Sequence, residues 1–126
     1  GGSGAVDVFD RGTVEFQGKN FFEDNFSTLG TFPRHALGIN ASHGGHVLAE
    51  AHGIVAFHKS SKSYFEDGKA DFRGAIAAID KGELIIKGKA EFKRNVARDC
   101  GGAIAADKGG FKDKSKKLRF KNNEDK

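Results

Sequence analysis

Two sets of side chains, one cysteine and one triplet have the types or the spacing for chemistry. Asp10, Asp80 and Asp107 recur at matching places, each directly before a basic residue. Paired carboxylates are what acid–base cleavage of a glycosidic bond requires. Here, however, each Asp is followed by Arg11, Lys81 or Lys108 and then by glycine, so a recurring charged turn accounts for them. No catalytic residue is assigned on that pattern. The five histidines, His35, His43, His46, His52 and His58, fall in one stretch. His43 and His46 have ligand-like spacing, but a metal needs three or four converging donors. His46 stands where other repeats carry an outward Ala, and His52 where they carry a turn Lys, so the two belong to different columns. No metal site and no cofactor are expected. Cys100 is the single cysteine, which excludes an internal disulfide. Asn40-Ala41-Ser42 is a glycosylation triplet.

The elements that must hold these residues follow from composition and repetition. The chain has 126 residues, and 37% of them are hydrophobic, which suits one segment rather than a large core. Twelve of the aromatics are Phe. No apolar run approaches the ~20 residues of a membrane helix, so the chain is not expected to span a membrane. The formal charge of +4 is mild. Basic residues concentrate in 111–126, a candidate contact for an anionic surface. Nucleic acid is not favoured, because Phe120 in that stretch already has an interior role.

Aligning Gly4, Gly45, Gly74 and Gly102 exposes four copies of one pattern: "GAVDVFDRG", "GHVLAEAHG", "GAIAAIDKG" and "GAIAADKG". The intervals are 41, 29 and 28 residues. The excess in the first falls between 26 and 43, which reads as an inserted loop holding the only proline. Within each copy the apolar period is two, which argues strand, and glycines at about every tenth position disfavour helix. Three short strands per copy, with a turn at each corner, describe one turn of a β-solenoid. The expected fold is all-β, a right-handed parallel β-helix of about four coils of roughly 28 residues. The coils start near 3, 44, 73 and 101 in one domain, 1–126. Without Met at position 1, the chain is expected to be an excerpt or a processed block of a larger solenoid or assembly.

Stacking such copies puts like on like. Val6, Val47, Ile76 and Ile104 form an aliphatic column, and Phe22, Phe65, Phe92 and Phe120 an aromatic one. Asn25, Asn95 and Asn123 follow each Phe by three residues at a corner, where Asn tolerates a left-handed backbone and its amide can bond the next copy. Gly68 takes that place in the second copy and loses the amide. Gly12, Gly53, Gly82 and Gly109 are expected to supply positive φ at the turns. Arg11, His52, Lys81 and Lys108 then line an outward basic stripe.

These motifs resemble a known family. Gly101-Gly102-Ala103-Ile104 is a full GGAI motif, with degenerate versions at Gly44–Val47, Arg73–Ile76 and Ser3–Val6. Phe22–Asn25, Phe92–Asn95 and Phe120–Asn123 are FxxN motifs. The alternation is similar to the repeats of chlamydial polymorphic outer membrane proteins and, more broadly, of pectin-lyase-like β-helices. The resemblance implies a β-helical passenger serving adhesion.

The expected function is therefore non-enzymatic: a surface or adhesin-type module contacting other proteins, at the cell surface or secreted. Its partners are expected to stack at the solenoid ends or along the loop 26–43, where Phe32, Leu37 and Ile39 add apolar weight beside the basic stripe. One alternative is a rod-like scaffold or linker subunit in a multiprotein complex, with an organellar complex as the alternative location. The other is a carbohydrate-active β-helix enzyme.

Overall fold

The structure is a computed structural model and describes residues 5–27, 46–70, 75–97 and 102–125. The described residues form sixteen strands and no helix. In chain order the first four are β1 (Val6–Val8), β2 (Thr13–Phe16), β3 (Lys19–Glu23) and β4 (Phe26–Ser27). Next come β5 (Val47–Ala49), β6 (Ile54–Phe57), β7 (Lys62–Glu66) and β8 (Lys69–Ala70). They are followed by β9 (Ile76–Ile79), β10 (Glu83–Ile86), β11 (Lys89–Lys93) and β12 (Val96–Ala97). The last four are β13 (Ile104–Asp107), β14 (Gly110–Asp113), β15 (Lys117–Lys121) and β16 (Glu124–Asp125).

Every fourth strand joins the same sheet. The orders are β1-β5-β9-β13, β2-β6-β10-β14, β3-β7-β11-β15 and β4-β8-β12-β16, and all pairs are parallel. This is the parallel stacking a β-solenoid requires. The strands β1–β4 therefore make a first layer at one edge of all four sheets, and β13–β16 the layer at the other. The reading of three strands per repeat misses the fourth, two-residue strand. Phe26 and Ser27, placed in the inserted loop 26–43, are that strand in the first layer, in register with Lys69 and Ala70. The starts near 3, 44, 73 and 101 lie outside the described residues.

The register brings like residues together. Val6 pairs with Val47, Val47 with Ile76, and Ile76 with Ile104. Phe22, Phe65, Phe92 and Phe120 are consecutive partners. Their rings stack at centroid separations of 4.9, 4.7 and 5.3 Å, tilted by 9°, 8° and 13°. A second stack, Phe16 on Phe57 at 5.0 Å, meets this one edge-on through Phe57 and Phe65 at 5.4 Å. Such ring pairs add about 0.5–1.5 kcal/mol each beyond the area they bury. Phe57, Phe65, Phe92, Leu84 and Ile86 are fully buried.

Two interior expectations change. Phe120 continues the aromatic column yet is 54% exposed, because it lies in the last layer with a neighbour on one side only. Alternation also fails in the first sheet. Leu48 and Ala77 lie opposite to Val47 and Ile76 on their strands, yet all four are fully buried.

The turns between the first and second strands have a different basis from the one expected. Positive φ falls on Lys108 alone (56°) before Gly109, and on the two residues before each of the first three glycines: Asp10 and Arg11 (49° and 64°), Ala51 and His52 (47° and 65°), Asp80 and Lys81 (44° and 66°). That is the type I′ pattern, closed by bonds from Gly12 N to Phe9 O, Gly53 N to Glu50 O and Gly82 N to Ile79 O. The turn glycines Gly12, Gly53, Gly82 and Gly109 do not supply the left-handed backbone. Three of them are needed because another layer's main chain passes too close. A Cβ on Gly53 would sit 2.1 Å from Val8 O, on Gly82 2.1 Å from Ala49 O, and on Gly109 2.6 Å from the Ala78 carbonyl carbon. Gly12, in the first layer, would meet only its own turn, at 3.1 Å.

Candidate functional site

The polar interior is a ladder of side-chain bonds at the corner after each Phe. Asn123 Nδ2 donates to Phe92 O at 3.0 Å, and its Oδ1 accepts from Asn95 N at 3.1 Å and from Asn95 Nδ2 at 2.9 Å. Asn95 repeats the pattern one layer back: Nδ2 donates to Phe65 O at 2.8 Å and Oδ1 accepts from Gly68 N at 2.9 Å. Asn25, Asn95 and Asn123 do not take left-handed backbone. That conformation falls one residue earlier, on Asp24, Asp67, Arg94 and Asn122. Asn is used here for its amide.

In the second layer Gly68 has no amide, and His46 replaces it. The ring is fully buried. Its Nδ1 lies 2.9 Å from Asn25 Nδ2, and its Nε2 lies 2.9 Å from Asn95 Oδ1. The neutral ring with its proton on Nε2 satisfies both partners. Asn25, His46, Asn95 and Asn123 thus form an unbroken chain through all four layers. Gly68 makes the room: a Cβ there would sit 2.5 Å from His46 Nε2 and 2.9 Å from Asn95 Oδ1. The outward orientation expected for His46 is wrong because the residue before each strand lies at the corner, where alternation does not hold. Ala75, its counterpart one layer on, is buried in the core too. The signal was present in the sequence as two exceptions in one repeat, His for Ala and Gly for Asn. Burial holds the His46 pKa below its ordinary value, against the raising effects of Asn95 and of the Asp67 and Asp24 charges.

Outside this corner, Arg94 holds Asp67 through two bonds of 2.7 and 2.8 Å. The pair spans two layers, and the guanidinium keeps the Asp67 carboxyl below the usual range.

The carboxylates do not form the expected column. Asp10 and Asp80 occupy equivalent turn positions, but Ala51 separates them in the intervening layer. Asp107 is in register with Ile79 rather than Asp80. The fourth repeat is one residue short, and Lys108 makes an antiparallel bridge to Ile79 instead. The structure brings together a pair that the repeat pattern hides, Asp7 and Glu50. Burial pushes both carboxyls up, and Asp7 Oδ1 is buried without a hydrogen-bond partner among the described residues.

Of the other histidines, His52 is exposed in its turn and His58 bonds Ser60 Oγ at 2.8 Å. No group of three potential metal ligands occurs among the described residues. Arg11, His52, Lys81 and Lys108 are all exposed at the turn column. Phe32, Leu37 and Ile39, with His35, His43, Asn40 and Cys100, lie outside the described residues. No described helix is long and apolar enough to cross a membrane.

The outer face of the sheet β3-β7-β11-β15 carries the most ordered charge. Lys19, Lys62, Lys89 and Lys117 are consecutive register partners, and all are exposed. Two residues along the strands, Phe21 stacks on Tyr64 at 5.1 Å and 11°, and Glu91 is paired in register with Arg119. The sequence reading missed this row because Lys seldom marks an element, and the strand start was not assigned.

No family model, curated protein or solved structure matches the chain.

Proposed function

We propose that the chain is a right-handed parallel β-helix of about four coils whose function is non-enzymatic contact with another protein, made through its first layer. The observation that carries this is an asymmetry between the two edges. Among the described residues, two of the three exposed large apolar side chains, Phe9 (59%) and Phe21 (62%), belong to the first layer. Val6, Val14 and Phe16 of that layer are only partly buried, as are Ile104, Phe111 and Leu118 of the last, so the difference lies in the exposed aromatics and the polar positions. The last layer is more polar. Asp113 continues the column of Phe16, Phe57 and Ile86, and Lys112, Lys114, Lys116 and Lys121 are exposed there. An apolar sheet edge is a surface for strand addition by a partner. The buried polar groups support the same reading, since His46 and Asn95 use their bonds to join layers. The resemblance of the repeats to those of polymorphic outer membrane proteins is the ground for an adhesin-type role over a scaffold.

A photo-crosslinking side chain at position 9 or 21 tests this in the native source. Protein adducts at those positions, and none at position 112, are expected. Adducts at 112 alone would reverse the assignment. The Asp7–Glu50 pair favours the carbohydrate-active reading. Turnover of acidic polysaccharide that is lost in Asp7→Asn, with Asp80→Ala as comparison, would replace the non-enzymatic one.

A further inference from the structure

We propose that the row Lys19–Lys62–Lys89–Lys117 is a binding track for a sulfated linear polysaccharide. The proposal concerns a sheet face and does not rest on the protein contact at the first edge.

The row is unlike the rest of its sheet. Of the two other outward columns, one sets Glu91 against Arg119, and the other, Glu23–Glu66–Lys93–Lys121, changes sign halfway, with Glu66 opposite Lys93. Directly opposed like charges destabilise a sheet. Yet the first column is lysine in all four strands, and none of the four makes an ion pair among the described residues. Local stability would favour a carboxylate in at least one of them. A single sign of charge kept through all four layers against its cost in stability marks a functional surface.

The geometry selects the ligand. Parallel strands lie about 4.7–4.9 Å apart, so the row is a straight line of charges at that pitch, about one sugar ring in length. A groove of about 180 Å³ runs beside it, lined by Lys62, Tyr64, Lys89, Glu91, Lys117 and Arg119. Single-stranded nucleic acid needs free aromatic faces for its bases. Here the Phe21 and Tyr64 rings stack on each other, so the face between them is taken. An anionic bilayer would cover the whole face and meet Glu23, Glu66 and Glu91 as well, whereas a linear polymer follows the single row. Within acidic glycans, planar carboxylates are matched best by the arginine fork. Lysine presents a compact charge with three rotatable donors, which suits the three terminal oxygens of a sulfate ester. The row contains lysine alone.

The test is calorimetric titration of the full chain with size-fractionated heparin at low and physiological salt. It is repeated with Lys62→Gln/Lys89→Gln and with the off-row control Lys81→Gln/Lys108→Gln, which removes equal charge. Each row lysine that displaces a counterion adds about one to the salt slope, so the row variant is expected to lose about tenfold in affinity and about two in slope. The control should change little, and Lys62→Arg/Lys89→Arg should keep binding. These exposed substitutions should leave thermal unfolding unchanged or raise it. Equal losses in row and control variants would overturn the proposal. So would the absence of heparin binding at low salt, or binding of polygalacturonate or oligo(dT) as tight as that of heparin.

Discussion

At His46, one ring nitrogen faces an amide NH₂ and the other an amide oxygen, an arrangement only the uncharged ring satisfies. Removing the ring leaves a hole and strips Asn25 and Asn95 of a partner, so His46→Ala should cost about 2–4 kcal/mol. Gly68→Asn alone should also destabilise, since its first carbon already meets the ring. Combined, the two substitutions restore the amide used in the other layers, and the double variant should be more stable than either single one in denaturant melts. The pH dependence has a definite sign. Below pH 6.5 the unfolded chain binds a proton that the folded ring, with its lowered pKa, refuses. Stability is therefore lost as pH falls through 6.5, and the loss levels off once the folded ring also protonates. The raised pKa values of Asp7 and Glu50, the latter also facing Asp80, act in the opposite direction. The clean measurement is thus the difference between the natural chain and His46→Ala/Gly68→Asn. That difference should move against the natural chain between about pH 7 and 5. A flat difference would show that the ring does not resist protonation.

At the level of strands and turns, the decisive contact is main chain on main chain. Gly53→Ala and Gly82→Ala each drive a methyl into another layer's carbonyl at 2.1 Å and should cost about 3 kcal/mol or more. Gly12→Ala, with no such carbonyl against it, should cost less than about 1 kcal/mol. Thermal melts of the three would separate this account from one based on turn conformation, in which all three suffer alike. The strands themselves were legible because period two and the glycine spacing are direct imprints of alternation and close stacking. The pairings Val6–Val47–Ile76–Ile104 and Phe22–Phe65–Phe92–Phe120 follow from the alignment of repeats. What could not be read was local. Two-residue strands such as Lys69–Ala70 are too short to carry a period, and corners such as His46 escape the alternation rule. The residue that the fourth copy lacks is visible in the alignment, but not that its loss sets Asp107 in register with Ile79. Asp7 and Glu50 meet only through the stacking of β1 on β5, since 43 positions separate them in the chain.

Over the whole molecule, position in the stack decides what a residue is worth. Phe65 is sandwiched between two rings and fully buried, so Phe65→Ala should cost about 3–5 kcal/mol. Phe120, half exposed with one ring neighbour, should cost under about 1.5 kcal/mol when cut to Ala. Equal losses in urea titrations would mean that the last layer is covered in solution. The interlayer bonds, such as Ile54 N to Gly12 O and Glu83 N to Gly53 O, both 2.9 Å, run across the strands from one edge of the stack to the other. The first and last strands lie at opposite edges of every sheet. Tension applied between the termini therefore pulls those bonds along their own length and strips one edge at a time. Under load the molecule should unwind like a spring, in a series of low-force steps, because no set of the described strands is placed to resist in shear.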